Sequence, residues 1–173
     1  MAIRYFTTPI YYVNARPHLG HAFTTILADV VKRHYRQRGD QVTFLTGTDE
    51  HGDKIVQTAE KQGKTPKQLT DEVAAEFKDT WEKMNLDFDI FYRTTDPAHH
   101  KAVQAALTLM KEKGDIVFRE FEGKYCVGCE RFYTDTELGP DGICPDHKTK
   151  PELRKEANYF FLMSKYQARL IEH

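Results

Sequence analysis

Two sets of residues have the types and spacing to do chemistry. Cys126-Val-Gly-Cys129 and Cys144-Pro-Asp-His147 are pairs with two residues between their members, and together they hold all three cysteines of the chain. Each pair can form a tight knuckle, and two facing knuckles supply the four ligands of a tetrahedral Zn²⁺. Three thiolates and an imidazole leave no open position, so the expected role of the metal is structural. The second set lies nearer the N-terminus, in His18-Leu-Gly-His21 and Gly47-Thr-Asp-Glu-His-Gly52. Two imidazoles at i and i+3 of a helix start can reach the same oxyanion, and Gly20 leaves room for a ligand to approach the backbone. That arrangement suits transfer chemistry at a nucleotide's α-phosphate, where positioning and charge stabilisation do most of the catalysis. Helix capping or metal binding would equally account for a lone His-x-Gly-His.

The elements that must position these groups follow from patterning. Residues 3 to 8 alternate large and polar side chains and run into Pro9, which predicts a strand ending there. From His18 to Arg38, apolar residues at steps of three and four (Leu19, Phe23, Ile26, Leu27, Val30, Val31, Tyr35) predict a helix closed by Gly39. Residues 42 to 46 read as a short strand, 47 to 52 as a polar turn, and a second helix ends near Gly63. Thr65-Pro66 reads as the N-cap and first turn of a third helix, with Leu69, Val73, Phe77, Trp81 and Met84 on one face. A strand over 88–93 and a helix over 97–113, stopped by Gly114, complete an alternation typical of an open parallel α/β sheet. Beyond Asp115 the texture changes. Residues 116–121 and 123–126 read as a hairpin turning at Glu122-Gly123, followed by the knuckles, a strand from Asn158 and a helix over 165–173. The chain is therefore expected to divide into 1–114 and a metal-held module at 115–173.

A formal charge of −1, from 25 basic and 26 acidic residues, provides no overall field for a polyanion. The local cluster Lys32, Arg33, Arg36 and Arg38 reads as a solvated helix face. No apolar run approaches the roughly 20 residues of a membrane span, and the N-terminus lacks the core of a signal peptide. A cytoplasmic location is expected, where reducing conditions favour metal ligation over disulfides.

The stretch Thr7-Thr-Pro-Ile-Tyr-Tyr-Val-Asn-Ala-Arg-Pro-His-Leu-Gly-His21, followed by Thr46-Gly-Thr-Asp-Glu-His-Gly52, resembles the catalytic core of class I aminoacyl-tRNA synthetases. Specifically, it is similar to the methionyl-tRNA synthetase family, which has a zinc knuckle inserted after the first half of its Rossmann fold. The likeness covers nearly the whole chain, in order. It implies an open parallel Rossmann-like sheet in which His18 and His21, with Gly20 between them, stabilise ATP phosphates during adenylate formation. Ile10 and Tyr12 match positions lining a methionine pocket, where an apolar and an aromatic side chain suit a thioether. Asp49 matches the carboxylate that meets the substrate's α-amino group; its alternative role is to cap the following helix. Asn14 and His51 match positions near the nucleotide. ATP with Mg²⁺, L-methionine and tRNA(Met) are the implied substrates, and one structural Zn²⁺ the implied metal. In that family the amino-acid carboxylate attacks the α-phosphate, pyrophosphate leaves, and the terminal ribose hydroxyl of the tRNA attacks the mixed anhydride.

The pattern also departs from the family. A second catalytic half with its Lys-Met-Ser-Lys-Ser loop, and a helical anticodon-binding domain, have no counterpart here. Leu162-Met-Ser-Lys165 lacks the first lysine and last serine of that loop and reads as a coincidence. The stretch is thus expected to be an amino-terminal part of such an enzyme, without efficient aminoacylation on its own. Small nucleotidyltransferases share the His-x-Gly-His start but lack the zinc insertion and the Gly-Thr-Asp-Glu-His-Gly turn. Cysteinyl-tRNA synthetases scatter their zinc ligands over the catalytic core. A noncatalytic zinc knuckle binding RNA through Tyr125, Arg131, Phe132, Tyr133 and Lys148 would leave residues 1–114 unexplained.

Overall fold

The structure, a computed structural model, describes residues 1–173. The chain divides into two compact units, Met1–His100 and Lys101–His173. In the first, β1 (Ile3–Thr7), β2 (Tyr11–Tyr12), β3 (Gln41–Asp49) and β4 (Ile90–Arg93) form a four-stranded parallel sheet. Leu45 pairs with Thr7 and Ile90, and Thr48 with Tyr11 and Arg93. A residue has only two lateral neighbours, so β1 and β2 share one side of β3 and β4 takes the other. The Thr8-Pro9-Ile10 interruption falls between β1 and β2, where proline has no N–H to give a ladder.

β3 is longer than the strand expected at 42–46. Gly47, expected to start a turn, lies inside the sheet, and a Cβ added there would meet the Tyr92 carbonyl oxygen at 1.9 Å. The glycine marks a close backbone approach that lets pairing continue to Asp49.

Three helices cross over between these strands: α1 (Leu19–Gln37), α2 (Asp53–Lys61) and α3 (Pro66–Lys83). Thr65 caps α3 in a reciprocal box with Gln68, with Pro66 in the first turn as expected. Its inward face, Leu69, Val73, Phe77 and Trp81, joins Ile55 and Ala59 of α2 and Tyr11 and Val13 in one core cluster.

The packing of α1 differs from the usual amphipathic arrangement. Its apolar stripe is outward, with Leu19 88%, Phe23 70%, Leu27 55% and Val30 55% exposed, while its buried residues are Thr25, Asp29 and Lys32. Of the cationic cluster, Arg33, Arg36 and Arg38 are exposed as expected, but Lys32 is not. Lys32 is fully buried, with Nζ 2.6 Å from the Asp87 carbonyl oxygen and 2.8 Å from Asp89 Oδ1. Arg33 pairs with Asp29 and Arg36 with Asp87. Asp89 in turn accepts the Phe44 N–H at 2.6 Å. Desolvation opposes its ionisation, yet Lys32 and that N–H hold its carboxyl below the usual range.

In the second unit, which begins within α4 (Pro97–Glu112), β5 (Ile116–Cys126) pairs antiparallel with β6 (Arg131–Tyr133) and β7 (Glu152–Phe161), ahead of α5 (Gln167–Glu172). The hairpin expected at Glu122-Gly123 is absent. β5 is continuous there, with Glu122 opposite Lys155 and Gly123 opposite Arg154. A Cβ on Gly123 would sit 2.8 Å from the Phe121 ring and 3.0 Å from Phe132, so this glycine makes room for aromatic rings and does not turn the chain. Met163–Tyr166 is a 3-10 turn.

The outward stripe of α1 is an apolar patch of the kind that binds hydrophobic dyes. The 173-residue polypeptide is expected to enhance anilinonaphthalene sulfonate fluorescence while retaining its near-UV circular dichroism. The pair Phe23→Ser and Leu27→Glu should remove most of that enhancement without lowering the urea midpoint; an undiminished signal would place the binding elsewhere.

Candidate active site and metal centre

The first α1 residues have backbone N–H groups with no intrahelical partner, and the two histidines satisfy part of that need. His18, extended at φ −136° and ψ 173°, is the N-cap, and its Nδ1 accepts the Gly20 N–H at 3.1 Å. His21 reaches back, its Nδ1 accepting the His18 N–H at 3.4 Å. The rings stack at 3.6 Å between centroids. The capping role is therefore real, and it constrains the chemistry: with Nδ1 an acceptor, a neutral imidazole carries its proton on Nε2. Both rings then present an Nε2–H donor away from the helix backbone. A Cβ on Gly20 would come within 3.0 Å of the His18 ring, so glycine also gives that ring its place.

Core aromatics hold the same turn. The His21 ring lies 4.6 Å from that of Tyr11 and 5.2 Å from that of Phe77. Tyr11 donates its hydroxyl to the His21 carbonyl at 3.3 Å and shares a 2.8 Å hydrogen bond with Thr25. Burial, and secondarily the neighbouring His18, lower the pKa of His21 from its ordinary 6.5, which favours the neutral ring.

β2 links this turn to the end of β3. While Tyr11 touches His21, Tyr12 is the register partner of Asp49. The imidazoles and Asp49 are thus joined through a two-residue strand and not by direct contact. Ile10 and Tyr12 are 38% and 44% exposed, leaving an apolar and an aromatic surface beside that strand end. Lys54 Nζ lies 5.8 Å above the Tyr12 ring. Asn14 is exposed. Asp49 does not cap α2, whose N-cap is Gly52 at φ 120°.

His51 instead faces the other flank of β3. Its Nδ1 lies 3.2 Å from Thr94 Oγ1 and its ring 5.7 Å from that of His100. A cleft of about 540 Å³ opens there, lined by residues including Glu50, His51, Lys67, Asp71, Arg93 and Thr95. Its walls include none of His18, His21, Tyr12 and Asp49, and its Arg93 and Lys67 are both paired with carboxylates. Arg93 forms a bidentate pair with the buried Glu50 at 2.7 and 2.9 Å and a third bond to Asp71 at 2.7 Å. Glu50 also accepts from Thr48 and Thr95. Motif reading gave Glu50 no role. Residue 50 falls in the stretch read as a polar turn, where a carboxylate is expected to be solvated, and its burial shows only once Arg93 is brought beside it.

The Cys126, Cys129, Cys144 and His147 ligand atoms lie within 4.8 Å of one another. Cys129 Sγ is 3.5 Å from Cys144 Sγ and 3.1 Å from His147 Nδ1. A tetrahedral Zn²⁺ with Zn–S bonds of about 2.3 Å separates its sulfurs by about 3.7 Å, so the donor set and spacing fit that ion. Gly128 is part of the fit, because a Cβ would fall 2.4 Å from the His147 ring. Backbone N–H donation from His147, and then from Asp146, brings the Cys144 thiol down to about 6 against the effect of burial. Cys129 receives a lowering hydrogen bond from Tyr133, yet burial and the other thiols push it up to about 11.

Residues 4–150 match the family model described as tRNA synthetases class I (M). The chain is 47% identical over 170 residues to the methionine–tRNA ligase of Campylobacter jejuni, covering 98% of this chain and 27% of that protein. It is 46% identical to that of Thermotoga maritima, at the same two coverages. The structure superposes on Mycobacterium tuberculosis methionyl-tRNA synthetase in complex with methionyl-adenylate with a TM-score of 0.94 and 38% identity, covering 100% of this chain and 35% of that one. The chain therefore spans about a quarter to a third of the length of such relatives. The match spans the histidine turn, the strand end and all four cysteine and histidine ligands, which neither a small nucleotidyltransferase nor an isolated zinc knuckle would give. On this sequence and this fold, the chain belongs to the class I tRNA synthetases of the (M) group.

Proposed function

We propose that the chain forms the amino-terminal part of a site that joins L-methionine to ATP as methionyl-adenylate and then passes the methionyl group to tRNA(Met). The observation that carries this reading is the double Nδ1 capping of α1, which aims two Nε2–H donors from one helix start. Attack by the methionine carboxylate on the α-phosphorus places extra negative charge on phosphate oxygens as the bond to pyrophosphate breaks. Two neutral N–H donors and a helix N-terminus stabilise that charge without having to reorganise. His18, Gly20 and His21 form this anion contact, with Mg²⁺ accompanying the ATP. Asp49, beside Tyr12 at the end of β3, receives the methionine ammonium, and Ile10 and Tyr12 flank the thioether. Asn14 and His51 are assigned to the nucleotide, His51 from the opposite flank of β3, where its ring leans on Thr94.

Residues 1–114 are the catalytic half and 115–173 the inserted module. Cys126, Cys129, Cys144 and His147 would hold one Zn²⁺, which supplies cross-linking and no reactive position. No helix is long and apolar enough to cross a membrane, in keeping with a cytoplasmic enzyme.

A chimaera in which this stretch replaces the corresponding residues of the Campylobacter jejuni ligase tests the assignment. Methionine-dependent ATP–pyrophosphate exchange should persist. His18→Asn or His21→Asn should each lower kcat by about a hundredfold with little change in the methionine KM. Asp49→Asn should chiefly raise that KM. Full exchange by a His18→Asn, His21→Asn double variant would dismiss the phosphate role.

The depressed pKa of His21 makes a separate prediction. In the interval between its folded value and 6.5 the unfolded chain binds the proton more readily, so stability rises with pH there and falls as pH drops through it. Urea midpoints measured from about pH 7.5 to about 5.5 should fall for the wild type and fall less for His21→Gln; equal slopes would rule out His21 as the source.

At the metal centre, Cys144→Ala should hold no zinc against a competing chelator while Met1–His100 keeps its ordered circular dichroism. Gly128→Ala, which forces the His147 ring aside, should weaken zinc by about tenfold or more with all four ligands intact.

A further inference from the structure

We propose that Tyr133 is a positioning residue of the metal centre, donating its hydroxyl hydrogen to the Cys129 thiolate in competition with the neighbouring carboxylate of Asp146. The inference rests on the zinc reading above and adds to it a group outside the four ligands. Tyr133 is 8% exposed, and its hydroxyl faces two acceptors, Cys129 Sγ at 3.0 Å and Asp146 Oδ2 at 3.3 Å, with Cys144 Sγ 3.7 Å from its oxygen. Cys129 Sγ and Asp146 Oδ2 are themselves only 3.7 Å apart. Once a metal is bound the cysteines are thiolates, so a sulfur and a carboxylate of like charge face each other across this gap.

One phenol can donate one proton, and donation to the nearer sulfur does two things. It draws charge from a Cys₃His set whose three thiolates already outweigh a divalent ion, and it keeps the Cys129 side chain at its ligating distance. The main-chain geometry supports the role. Tyr133 ends β6 in register with Lys124, two residues before Cys126 on β5, so the ring projects from the strand pair that holds the first knuckle. The ring also stacks under the Arg131 guanidinium at 4.2 Å, a contact that does not need the hydroxyl. Packing and hydrogen bonding at this residue are therefore separable by removing one oxygen.

The test uses the full 173-residue chain loaded with Zn²⁺ or, as a spectroscopic probe, Co²⁺. Tyr133→Phe should raise the apparent Zn²⁺ dissociation constant about tenfold in chelator competition. It should also move the thiolate-to-Co²⁺ charge-transfer band to longer wavelength, because a sulfur that loses its hydrogen-bond donor gives up electrons more easily. Asp146→Asn alone should tighten binding, since the rival acceptor and like charge are gone. In the Tyr133→Phe background it should move affinity and band back toward the wild type, the carboxamide N–H serving as donor. An unmoved band in Tyr133→Phe, with or without weaker binding, would reduce the residue to packing and overturn the proposal. So would an Asp146→Asn variant that binds more weakly than the wild type. A wild-type chain that takes up neither metal would remove the zinc reading itself.

Discussion

The interaction on which the proposed chemistry depends is the use of two imidazoles as helix caps. A helix start needs acceptors for its free N–H groups, and serine, threonine, aspartate or asparagine usually provides them. Here His18 and His21 provide them through Nδ1. A hydroxyl or carboxylate cap would be used up by the backbone or would repel an incoming phosphate. An imidazole has a second nitrogen, and capping through the first makes the second a donor. The same hydrogen bonds therefore fix the helix and set the polarity of the group offered to a ligand. Stacking at 3.6 Å disfavours charging both rings together, and the contacts of His21 with Tyr11 and Phe77 favour the neutral state.

What fixes the direction of those caps is α1, which inverts the usual amphipathic arrangement. Its buried face carries Thr25, Asp29 and Lys32, and each has a specific partner: the Tyr11 hydroxyl, the Asp87 N–H, and the Asp87 and Asp89 acceptors. A buried ammonium must keep its acceptors or lose several kcal/mol. Lys32 thereby locks α1 in rotation and height against the 85–89 loop. Through Asp89 and its bond to the Phe44 N–H, the lock reaches β3, whose far end presents Asp49. Helix start and strand end are therefore held in one register by polar contacts, with the aromatic core of Tyr11, Phe77 and Trp81 behind them.

Much of this was legible in the sequence wherever a local rule was sufficient. Thr65-Pro66 announced its capping box, the strand and helix alternation announced a parallel sheet, and the paired knuckles announced a cluster of three cysteines and a histidine. What escaped were positions where a residue's usual meaning is overridden by a distant neighbour. Gly47 and Gly123 look like turns, but one admits the Tyr92 carbonyl and the other the rings of Phe121 and Phe132. Lys32 looks solvated, and its burial is intelligible only once Asp87 and Asp89, more than fifty residues away, are brought beneath it. The apolar stripe of α1 marked the helix without fixing which of its faces is buried. Periodicity reports that a face is apolar but not which element covers it.

The two units have different cores, and the difference says where a metal would matter most. Met1–His100 has an apolar cluster of eight buried residues, enough to organise its helices. In Lys101–His173 the buried cluster is Cys126, Tyr133 and Cys144, with Cys129 and Leu138 against it, so the core consists largely of the candidate ligands themselves. The β5–β7 ladder and ring pairs such as Phe118 with Tyr159 hold the strands, but the segment from Cys126 to Thr149 has few other apolar anchors. Unmetallated, three thiols and an imidazole packed together contribute little cohesion and invite oxidation. A bound ion converts the same four groups into a cross-link between sequence-distant knuckles and supplies folding free energy that so small a core lacks. On this argument a bound ion would do for the second unit what Trp81 and its neighbours do for the first.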